Sequence, residues 1–315
     1  MKKLTRNETA DFLLNHDNYA ILTHRRPDGD TLGSSAALCR ILRNMGKTAH
    51  ILSNPEVTPR FAWLHEGLTK QVAEEGDTLV SVDVASPQML PNQFETYLGK
   101  IALRIDHHAS ATSFTDWELV DPGMGACAEI IFDLLQELWQ EFDEGIADAI
   151  YVGTSTDTGC FRFANTTSHT FITAAACAAA GAKIYRLNQE LFETNTLQRL
   201  QIQGWIVENM KIFAGGKLAV VAIPKAVEES IGVTEDDMDN ITAFPRTVAG
   251  VCMASTLRET KEGDVKLSVR AIPGFDATLI TGKFGGGGHK GAAGATLKMS
   301  LSDAAAAVEA VMLEL

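Results

Sequence analysis

The sequence has few of the features that mark exported or membrane-embedded proteins. Five of its 315 residues are cysteine, an odd number without a C-x-x-C pair, which argues against a disulfide framework and against a zinc site. Residues 1–7 are charged and polar and lack the apolar core of a signal peptide. The longest apolar stretch, residues 174–182, is too short to span a bilayer. These absences predict a cytoplasmic protein with reduced cysteines and no membrane partner.

Basic residues are also scarce. The chain has 27 Lys and Arg against 40 Asp and Glu, a formal net charge of -13. This acidic excess argues against a broad basic face that grips long duplex DNA. A short, highly charged ligand stays compatible, because metal ions bound by carboxylates reverse the local charge. With 315 residues, of which 45% are hydrophobic, the chain is expected to form two globular domains.

The first 180 residues alternate between short apolar runs and segments with helical periodicity. This alternation predicts an α/β fold in which a mainly parallel sheet is flanked by helices. The predicted strands cover residues 19–24, 47–52, 78–83 and 100–105, and the predicted helices cover residues 33–45, 126–138, 146–154 and 167–180.

The pattern changes after residues 183–209, a helix-compatible segment without proline. Beyond it, we predict a hairpin at 211–223, strands at 251–256 and 265–270, and an amphipathic helix at 302–315. We therefore expect an N-terminal domain over residues 1–185, a helical linker over 186–209, and a smaller α/β domain with a mixed sheet over 210–315.

The segment HRRPDGDTLGS, residues 24–34, follows the first predicted strand. Ligands of open α/β sheets collect at the carboxyl ends of strands, where this loop is expected to lie. One imidazole and two carboxylates, from His24, Asp28 and Asp30, suit Mn²⁺, Mg²⁺ or Zn²⁺. Taken alone, the loop is explained equally well as a polar turn in which Asp30 caps the next helix.

Three further element ends carry carboxylates, and one of them is followed by two adjacent histidines, His107 and His108. If all these aspartates met at one sheet edge, their charges would repel and raise one another's pKa values. Two divalent cations would remove most of that penalty, so a two-metal centre is the simplest interpretation. The aspartates concerned are Asp28, Asp30, Asp83, Asp106 and Asp157.

A glycine-dense segment, GGGGHKGAAG, occupies residues 285–294. It formally fits the dinucleotide pattern G-x-G-x-x-G but lacks the βαβ context that the pattern requires, and the chain has no Walker A loop. Two interpretations stay open: a flexible or tightly turning loop, and a backbone nest that receives a phosphate or a base beside His289 and Lys290. Arg270 and Arg258 are candidates for binding the rest of a nucleotide.

The ordered motifs H-x-x-P-D-G-D-x-x-G-S, V-D, D-H-H and T-D-T-G resemble those of the DHH phosphoesterase superfamily. In the second half, S-V-R at residues 268–270 and the glycine-dense segment look like the DHHA1 domain of many of its members. The resemblance covers nearly the whole chain, and the combination of motifs is similar to the nanoRNase and pAp-phosphatase type, a smaller relative of the RecJ exonucleases. No quoted motif departs from the family pattern, so the resemblance implies an active enzyme.

The resemblance implies two Mn²⁺ ions per subunit, with Mg²⁺ or Co²⁺ as substitutes. It makes Asp106 the carboxylate that orients a histidine, and His108 an acid or hydrogen-bond donor that faces the substrate. Either Arg25 or Arg26 could add charge stabilisation. The implied ligands are His24, Asp28 and Asp83 for one ion, and Asp30, Asp83, His107 and Asp157 for the other, with Asp83 bridging. The implied substrate-binding residues are Arg270, Gly287, Gly288, His289 and Arg258.

The implied activity is hydrolysis of short single-stranded RNA, about two to five nucleotides long, to mononucleotides by a hydroxide that two metals activate. Dephosphorylation of 3′-phosphoadenosine 5′-phosphate (pAp) is implied as well. A phosphodiesterase for cyclic or linear diadenylate is the first alternative, and a homodimer is compatible with either function. An inorganic pyrophosphatase is less favoured, because that class lacks the glycine-rich second domain. The intact ligand set disfavours a nucleotide-sensing module without turnover.

Overall fold

The computed structural model describes residues 2–109 and 111–314, so the first residue of the predicted N-terminal domain and the last residue of the predicted final helix lie outside it. The chain folds into two compact units, Met1–Thr194 and Asn195–Leu315. Within the described residues, no helix is both long enough and apolar enough to cross a membrane.

The first unit is built on a seven-stranded sheet in which all described pairings are parallel. Its central strands contain no exposed residue, as expected for a parallel sheet that is covered on both faces. The prediction of an α/β unit with a mainly parallel sheet is confirmed. In sheet order the strands are β1 (Lys2–Lys3), β7 (Trp117–Val120), β6 (Leu103–Asp106), β5 (Thr78–Val82), β2 (Tyr19–Leu22), β3 (Ala49–Leu52) and β4 (Thr69–Lys70).

The helices of the first unit are α1 (Arg6–Asn15), α2 (Gly29–Asn44), α3 (Cys127–Glu137), α4 (Glu144–Asp157), α5 (Ser168–Ala179) and α6 (Ile184–Asn188). Helix α2 begins before the predicted start, because the Asp28 side chain accepts hydrogen bonds from the amides of Asp30 and Thr31 at 3.0 and 3.2 Å. Asp28 is therefore the cap of this helix. The alternative in which Asp30 caps the helix is wrong, since Asp30 lies in its first turn.

Helices α2 and α4 pack closely at two glycines. A Cβ atom at Gly33 would lie 2.3 Å from the carbonyl oxygen of Ala149, and a Cβ atom at Gly153 would lie 2.9 Å from the Asp30 carboxylate. Only glycine permits so close a backbone approach. The packing brings the start of α2, with Asp30, near the end of α4, with Asp157.

Residues 183–209, predicted as one helix-compatible segment, are interrupted. Helix α6 passes into a π-helical turn (Gln189–Glu193), and α7 (Leu197–Asn209) begins as a separate helix. The Thr196 side chain accepts a hydrogen bond from the amide of Arg199 at 3.0 Å and so caps α7. Hydrophobic periodicity alone did not reveal this new start.

The second unit contains a six-stranded mixed sheet, which confirms the predicted sheet type. The β9–β10 pairing is parallel, and the other described pairings are antiparallel. One face packs against α10 (Leu301–Leu313) and α9 (Thr278–Thr281), while α7 and α8 (Lys225–Ile231) pack on the other face. In sheet order the strands are β12 (Gly287–His289), β13 (Ala292–Leu297), β11 (Val265–Ala271), β10 (Met253–Glu259), β9 (Leu218–Ile223) and β8 (Lys211–Phe213).

The glycine-dense segment supplies the edge strand β12, where the sequence left a loop or a nest as alternatives. Gly288 has a φ of 141°, and a Cβ atom there would lie 2.6 Å from the carbonyl oxygen of Ala292. Glycine is required at this position because β13 approaches the backbone too closely for a side chain. The segment therefore extends the sheet and turns tightly at residues 290–291, between β12 and β13, while a phosphate-binding role stays a prediction.

Candidate metal centre and nucleotide-binding face

The predicted metal ligands of the first unit gather at the carboxyl end of its parallel sheet. Strand β5 is followed directly by Asp83, and β6 is followed by His107 and His108. The carboxyl ends of parallel strands meet at one sheet edge, where open α/β sheets bind ligands. The other members come from the loop after β2, the start of α2 and the end of α4: His24, Asp28, Asp30 and Asp157.

A first ligand group surrounds His24. Its Nε2 lies 3.6 Å from Asp28 Oδ1 and 3.5 Å from Asp83 Oδ2. Its Nδ1 lies 2.8 Å from the carbonyl oxygen of Arg25. A hydrogen bond from Nδ1–H to that carbonyl orients the ring so that Nε2 faces the carboxylates, as in histidines that bind metals.

A second ligand group consists of Asp30, His107 and Asp157, and Asp83 of the first group also lies next to His107. His107 Nε2 lies 3.6 Å from Asp83 Oδ1, 3.6 Å from Asp157 Oδ2 and 3.7 Å from Asp30 Oδ2. Its Nδ1 lies 3.2 Å from the carbonyl oxygen of Met124, which again leaves Nε2 for a cation. Asp83, His107 and His108 form a third, overlapping group.

The spacing and chemistry of these groups fit divalent cations. The His–Asp separations of 3.5–3.7 Å in the first two groups exceed normal hydrogen-bond lengths. Ligand atoms about 2.1 Å from an octahedral cation lie roughly 3 Å from one another, so small shifts suffice to bind one. Asp83 Oδ1 is buried and has no hydrogen-bond partner among the described residues, as expected of an oxygen that binds a cation. Imidazole and carboxylate donors suit Mn²⁺ and Mg²⁺.

Burial and mutual repulsion raise the pKa values of the central carboxyl groups. Burial, followed by the charges of Asp83 and Asp157, raises the pKa of Asp30 well above its ordinary value. Burial, with a contribution from Asp83, raises the pKa of Asp157 to about 7. Burial alone would lower the pKa of His107, but three surrounding carboxylates outweigh it and raise that pKa to about 9. The metal-free site therefore retains protons that a cation would displace.

His108 is oriented by a carboxylate. Its Nδ1 lies 2.8 Å from Asp106 Oδ1, and the same oxygen accepts hydrogen bonds from the amides of His107 and His108. The hydrogen bond to Asp106 raises the pKa of the His108 imidazole. The side chain of His108 is 35% exposed, whereas that of Asp106 is fully buried. Because Nδ1 is engaged, Nε2 is the nitrogen available to donate a proton.

Asp30 is held by contacts that the sequence analysis missed. The amides of Cys127 and Ala128, at the start of α3, donate to its two carboxylate oxygens at 2.6 and 2.9 Å. The hydroxyl of Ser34 donates to Oδ1 at 3.1 Å. The positive end of the α3 dipole favours the ionised carboxylate. Backbone amides are present at every residue type except proline, so no residue in the sequence identifies these donors. The one related signal in the sequence was the predicted start of a helix at residue 126.

Asn165 is a second contact that the sequence analysis missed. Its Nδ2 donates to the carbonyl oxygen of Gly125 at 2.8 Å and to that of Asp157 at 3.1 Å, and it lies 3.4 Å from Asp157 Oδ2. Asn165 thereby ties the end of α4 to the loop before α3. No motif or periodicity distinguished this asparagine from other loop residues.

We expect Asn165→Ala to weaken binding of a divalent cation at this centre about tenfold, because residues that support ligands typically affect metal affinity this strongly. Titration of the metal-free protein with Mn²⁺ as the test cation measures the change. The control is Asn15→Ala, since the described hydrogen bond of the Asn15 side chain runs to the Asp11 carbonyl of the same helix. An unchanged metal requirement in Asn165→Ala would limit this residue to a role in loop structure.

In the second unit, four of the predicted substrate-binding residues lie close to one another. Residues directly opposite in antiparallel strands share a face, and His289 is opposite Ala292, which is opposite Arg270. Gly287 and Gly288 precede His289 in β12. His289 is exposed, and Arg270 is half-buried.

Arg258, the fifth predicted substrate-binding residue, lies apart from these four. It pairs in register with Lys266, four residues along β11 from Arg270, or roughly 13 Å at the rise of a strand. Its Nε lies 2.8 Å from Glu228 Oε1. Because the guanidinium already has a carboxylate partner, its role in substrate binding stays a prediction that this geometry does not support.

Comparison with known proteins agrees with the motif analysis. Residues 18–154 match the profile of the DHH family, N-terminal domain, and residues 215–314 match that of the DHHA1 domain. The chain belongs to the DHH phosphoesterase family, as the sequence motifs predicted. It is 36% identical over 280 residues to the bifunctional oligoribonuclease and PAP phosphatase NrnA of Thermus thermophilus, a match that covers 88% of this chain and 83% of that protein.

A more distant relative and two solved structures extend this comparison. The cyclic-di-AMP phosphodiesterase PdeA of Listeria monocytogenes is 26% identical over 311 residues, which cover 91% of this chain and 46% of PdeA. An exopolyphosphatase-related protein from Bacteroides fragilis has the same fold, with a TM-score of 0.88 at 21% identity, covering 98% of this chain and 95% of that one. RecJ of Thermus thermophilus in complex with Mn²⁺ has a TM-score of 0.59 at 16% identity, covering 98% and 55%. A structural neighbour therefore binds a divalent cation.

Proposed function

We propose that the protein is a Mn²⁺-dependent phosphoesterase that hydrolyses oligoribonucleotides of about two to five nucleotides to mononucleotides. Dephosphorylation of pAp is proposed as a second activity of the same site. The observation that carries the proposal is a pair of ligand groups at the carboxyl end of the parallel sheet, with the two oxygens of Asp83 facing the histidine of each group. The match to NrnA over 88% of the chain supports the substrate class.

The two ligand groups suit two cations that share one carboxylate. When bound, such cations lower the pKa of water and offset negative charge on phosphoryl oxygens. The chain contributes two imidazoles whose Nδ1 contacts with main-chain carbonyls direct the Nε2 atoms at the carboxylates. Asp30 is kept in place by helix amides. In this proposal the residues are His24, Asp28 and Asp83 for one cation, and Asp30, Asp83, His107 and Asp157 for the other.

His108 is the proposed general acid. Asp106 orients its ring and favours the charged imidazole, so Nε2 can donate a proton to the departing ribose oxygen. Arg25 and Arg26 are exposed, and a charge-stabilising role for either of them stays a prediction. Arg270, Gly287, Gly288 and His289 are proposed to bind the nucleotide on the face of the second sheet.

A substrate panel tests the function. With Mn²⁺, the full-length protein should cleave di- to pentaribonucleotides at least about tenfold faster than RNA of roughly twenty nucleotides, because few phosphate contacts are available to bind long strands. The same panel should contain pAp, linear diadenylate and cyclic diadenylate at one Mn²⁺ concentration, with EDTA as the metal-free control. Absence of product from every substrate would contradict the proposal and favour a nucleotide sensor.

A phosphodiesterase for cyclic or linear diadenylate is the second candidate, because PdeA aligns with 91% of this chain. In that case, cyclic diadenylate would be turned over rapidly, and RNA of mixed sequence would be cleaved negligibly. Comparison of kcat/KM values for diadenylate and for a dinucleotide without adenine separates the two candidates.

A further inference from the structure

The second unit has a row of cross-strand neighbours in which small residues separate basic ones. His289 lies opposite Ala292, and Arg270 has Ala292 on one side and Ala254 on the other. All these side chains share one face of the sheet. Ala292 is short and exposed, so it leaves room for a ligand between His289 and Arg270, whereas Ala254 is buried.

A 3-10 helix, Ile241–Thr247, packs on this same face. Thr256 lies two residues after Ala254 in β10, so both side chains point to one side of the sheet. The hydroxyl of Thr256 donates to the carbonyl oxygen of Thr242 at 3.3 Å. This contact attaches the 3-10 helix to the face that carries Arg270.

The end of that 3-10 helix brings a second arginine, Arg246, close to Arg270. Val248, two residues after Arg246, packs against the apolar cluster that contains Ala254, the residue opposite Arg270. Burial, followed by the positive charge of Arg246, lowers the pKa of Arg270. Arg246 is half-buried, and the sequence analysis did not single it out.

Among the described residues, neither Arg246 nor Arg270 forms an ion pair with a carboxylate. The described side-chain hydrogen bond of Arg270 runs from Nη1 to the carbonyl oxygen of Val269 at 3.2 Å. In contrast, Arg258 at the other end of the same face is paired with Glu228. The two guanidinium groups repel each other, and a bound anion would offset that repulsion. Such a pair of cations stands out in a chain whose net charge is -13.

We propose that Arg246 and Arg270 together bind one phosphate group of the nucleotide substrate. The identity of this ligand rests on the proposed function. Each guanidinium can direct two N–H groups at phosphate oxygens, and the anion neutralises the repulsion between the two arginines. His289, on the same face, is placed to contact the remainder of the nucleotide.

Binding measurements on the full-length protein in EDTA test this assignment, with AMP and adenosine as probes. Wild type should bind AMP more tightly than adenosine. Arg246→Ala should weaken AMP binding about tenfold, as expected for loss of a charge-assisted contact, and leave adenosine binding unchanged. Arg246→Lys should restore part of the affinity, because lysine keeps the charge but lacks the planar fork.

The matched control is Lys211→Ala, which removes one positive charge from the opposite edge strand, β8, where Lys211 pairs with Glu309. This variant should bind AMP like wild type. The proposal is overturned if Arg246→Ala binds AMP like wild type, if it loses adenosine affinity equally, or if wild type does not prefer AMP. Thermal unfolding of each variant verifies that the fold is retained.

A double-mutant cycle with Arg270→Ala adds a second criterion. If both arginines hold one phosphate, their effects on AMP affinity should deviate from additivity, whereas independent sites should give additive effects. The binding test needs no turnover, so its outcome is separate from that of the substrate panel. If the panel shows no hydrolysis but Arg246→Ala weakens AMP binding selectively, the proposed function fails and the phosphate site stands.

Discussion

Asp83→Asn should abolish Mn²⁺-dependent hydrolysis, with kcat/KM for a dinucleotide falling at least about 10³-fold, or ~4 kcal/mol of transition-state stabilisation. The physical reason is that Asp83 contributes to both ligand groups. Its Oδ2 lies 3.5 Å from His24 Nε2, and its Oδ1 lies 3.6 Å from His107 Nε2. An amide has one weaker donor oxygen and no charge, so both cations would lose affinity at once. Metal titration of the purified variant should show weakened binding at two sites.

Asparagine is the appropriate replacement because of the backbone at this position. Asp83 has a φ of 58°, a left-handed conformation that asparagine tolerates far better than alanine does. We therefore expect the metal-free variant to stay folded, with a melting temperature no lower than that of metal-free wild type, since a repelling carboxylate is gone. Asp11→Asn, on the exposed side of α1, is the matched control and should keep full activity. Near-normal turnover by Asp83→Asn would show that Asp83 is not a shared ligand.

The stability of the metal-free protein should depend on pH. Mn²⁺ should therefore raise the melting temperature more at pH 8 than at pH 5, and the two increases should differ by about 5 °C or more. The pKa of Asp157 is raised from 3.8 to about 7 in the folded protein. Ionisation of this carboxyl group therefore lowers the free energy of unfolding of the metal-free protein as pH rises through that range. The His107 pKa is raised from 6.5 to about 9, so its stabilising charge is present below 6.5 and is lost as pH rises through 9. Both effects weaken the metal-free protein as pH increases.

Calorimetry with and without Mn²⁺ at several pH values measures this effect. Subtracting the metal-free melting temperature at each pH removes the contributions of groups outside the site. Protons compete with the cation at low pH, which reduces the benefit of Mn²⁺ there. A Mn²⁺ effect that is equal at both pH values, or larger at pH 5, would show that these carboxylates do not share a cation.

The sequence analysis was most successful where local pattern and chemistry coincide. Apolar runs of four to six residues predicted the central strands, and polar residues at the ends of those runs predicted Asp83 and His107 as neighbours. Parallel strands bring their carboxyl ends to one edge, so the approximate meeting place followed from fold class. Boundaries were less accurate, since Asp28 rather than Asp30 caps α2. Either Asp28 or Asp30 has a side chain that can cap a helix, and which one does so depends on the backbone path and the side-chain rotamer.

Sequence alone therefore determined the class of fold, the family and the residue types that could bind metal, because each depends on local periodicity or on ordered motifs. Tertiary structure decided which groups support those residues. The amides of α3 reach Asp30, Asn165 reaches Asp157, and the 3-10 helix before β10, which carries Arg246, packs on the sheet face that carries Arg270. Such contacts join residues distant in sequence, often through backbone atoms, so they depend on the path of the chain. No local pattern encodes that path.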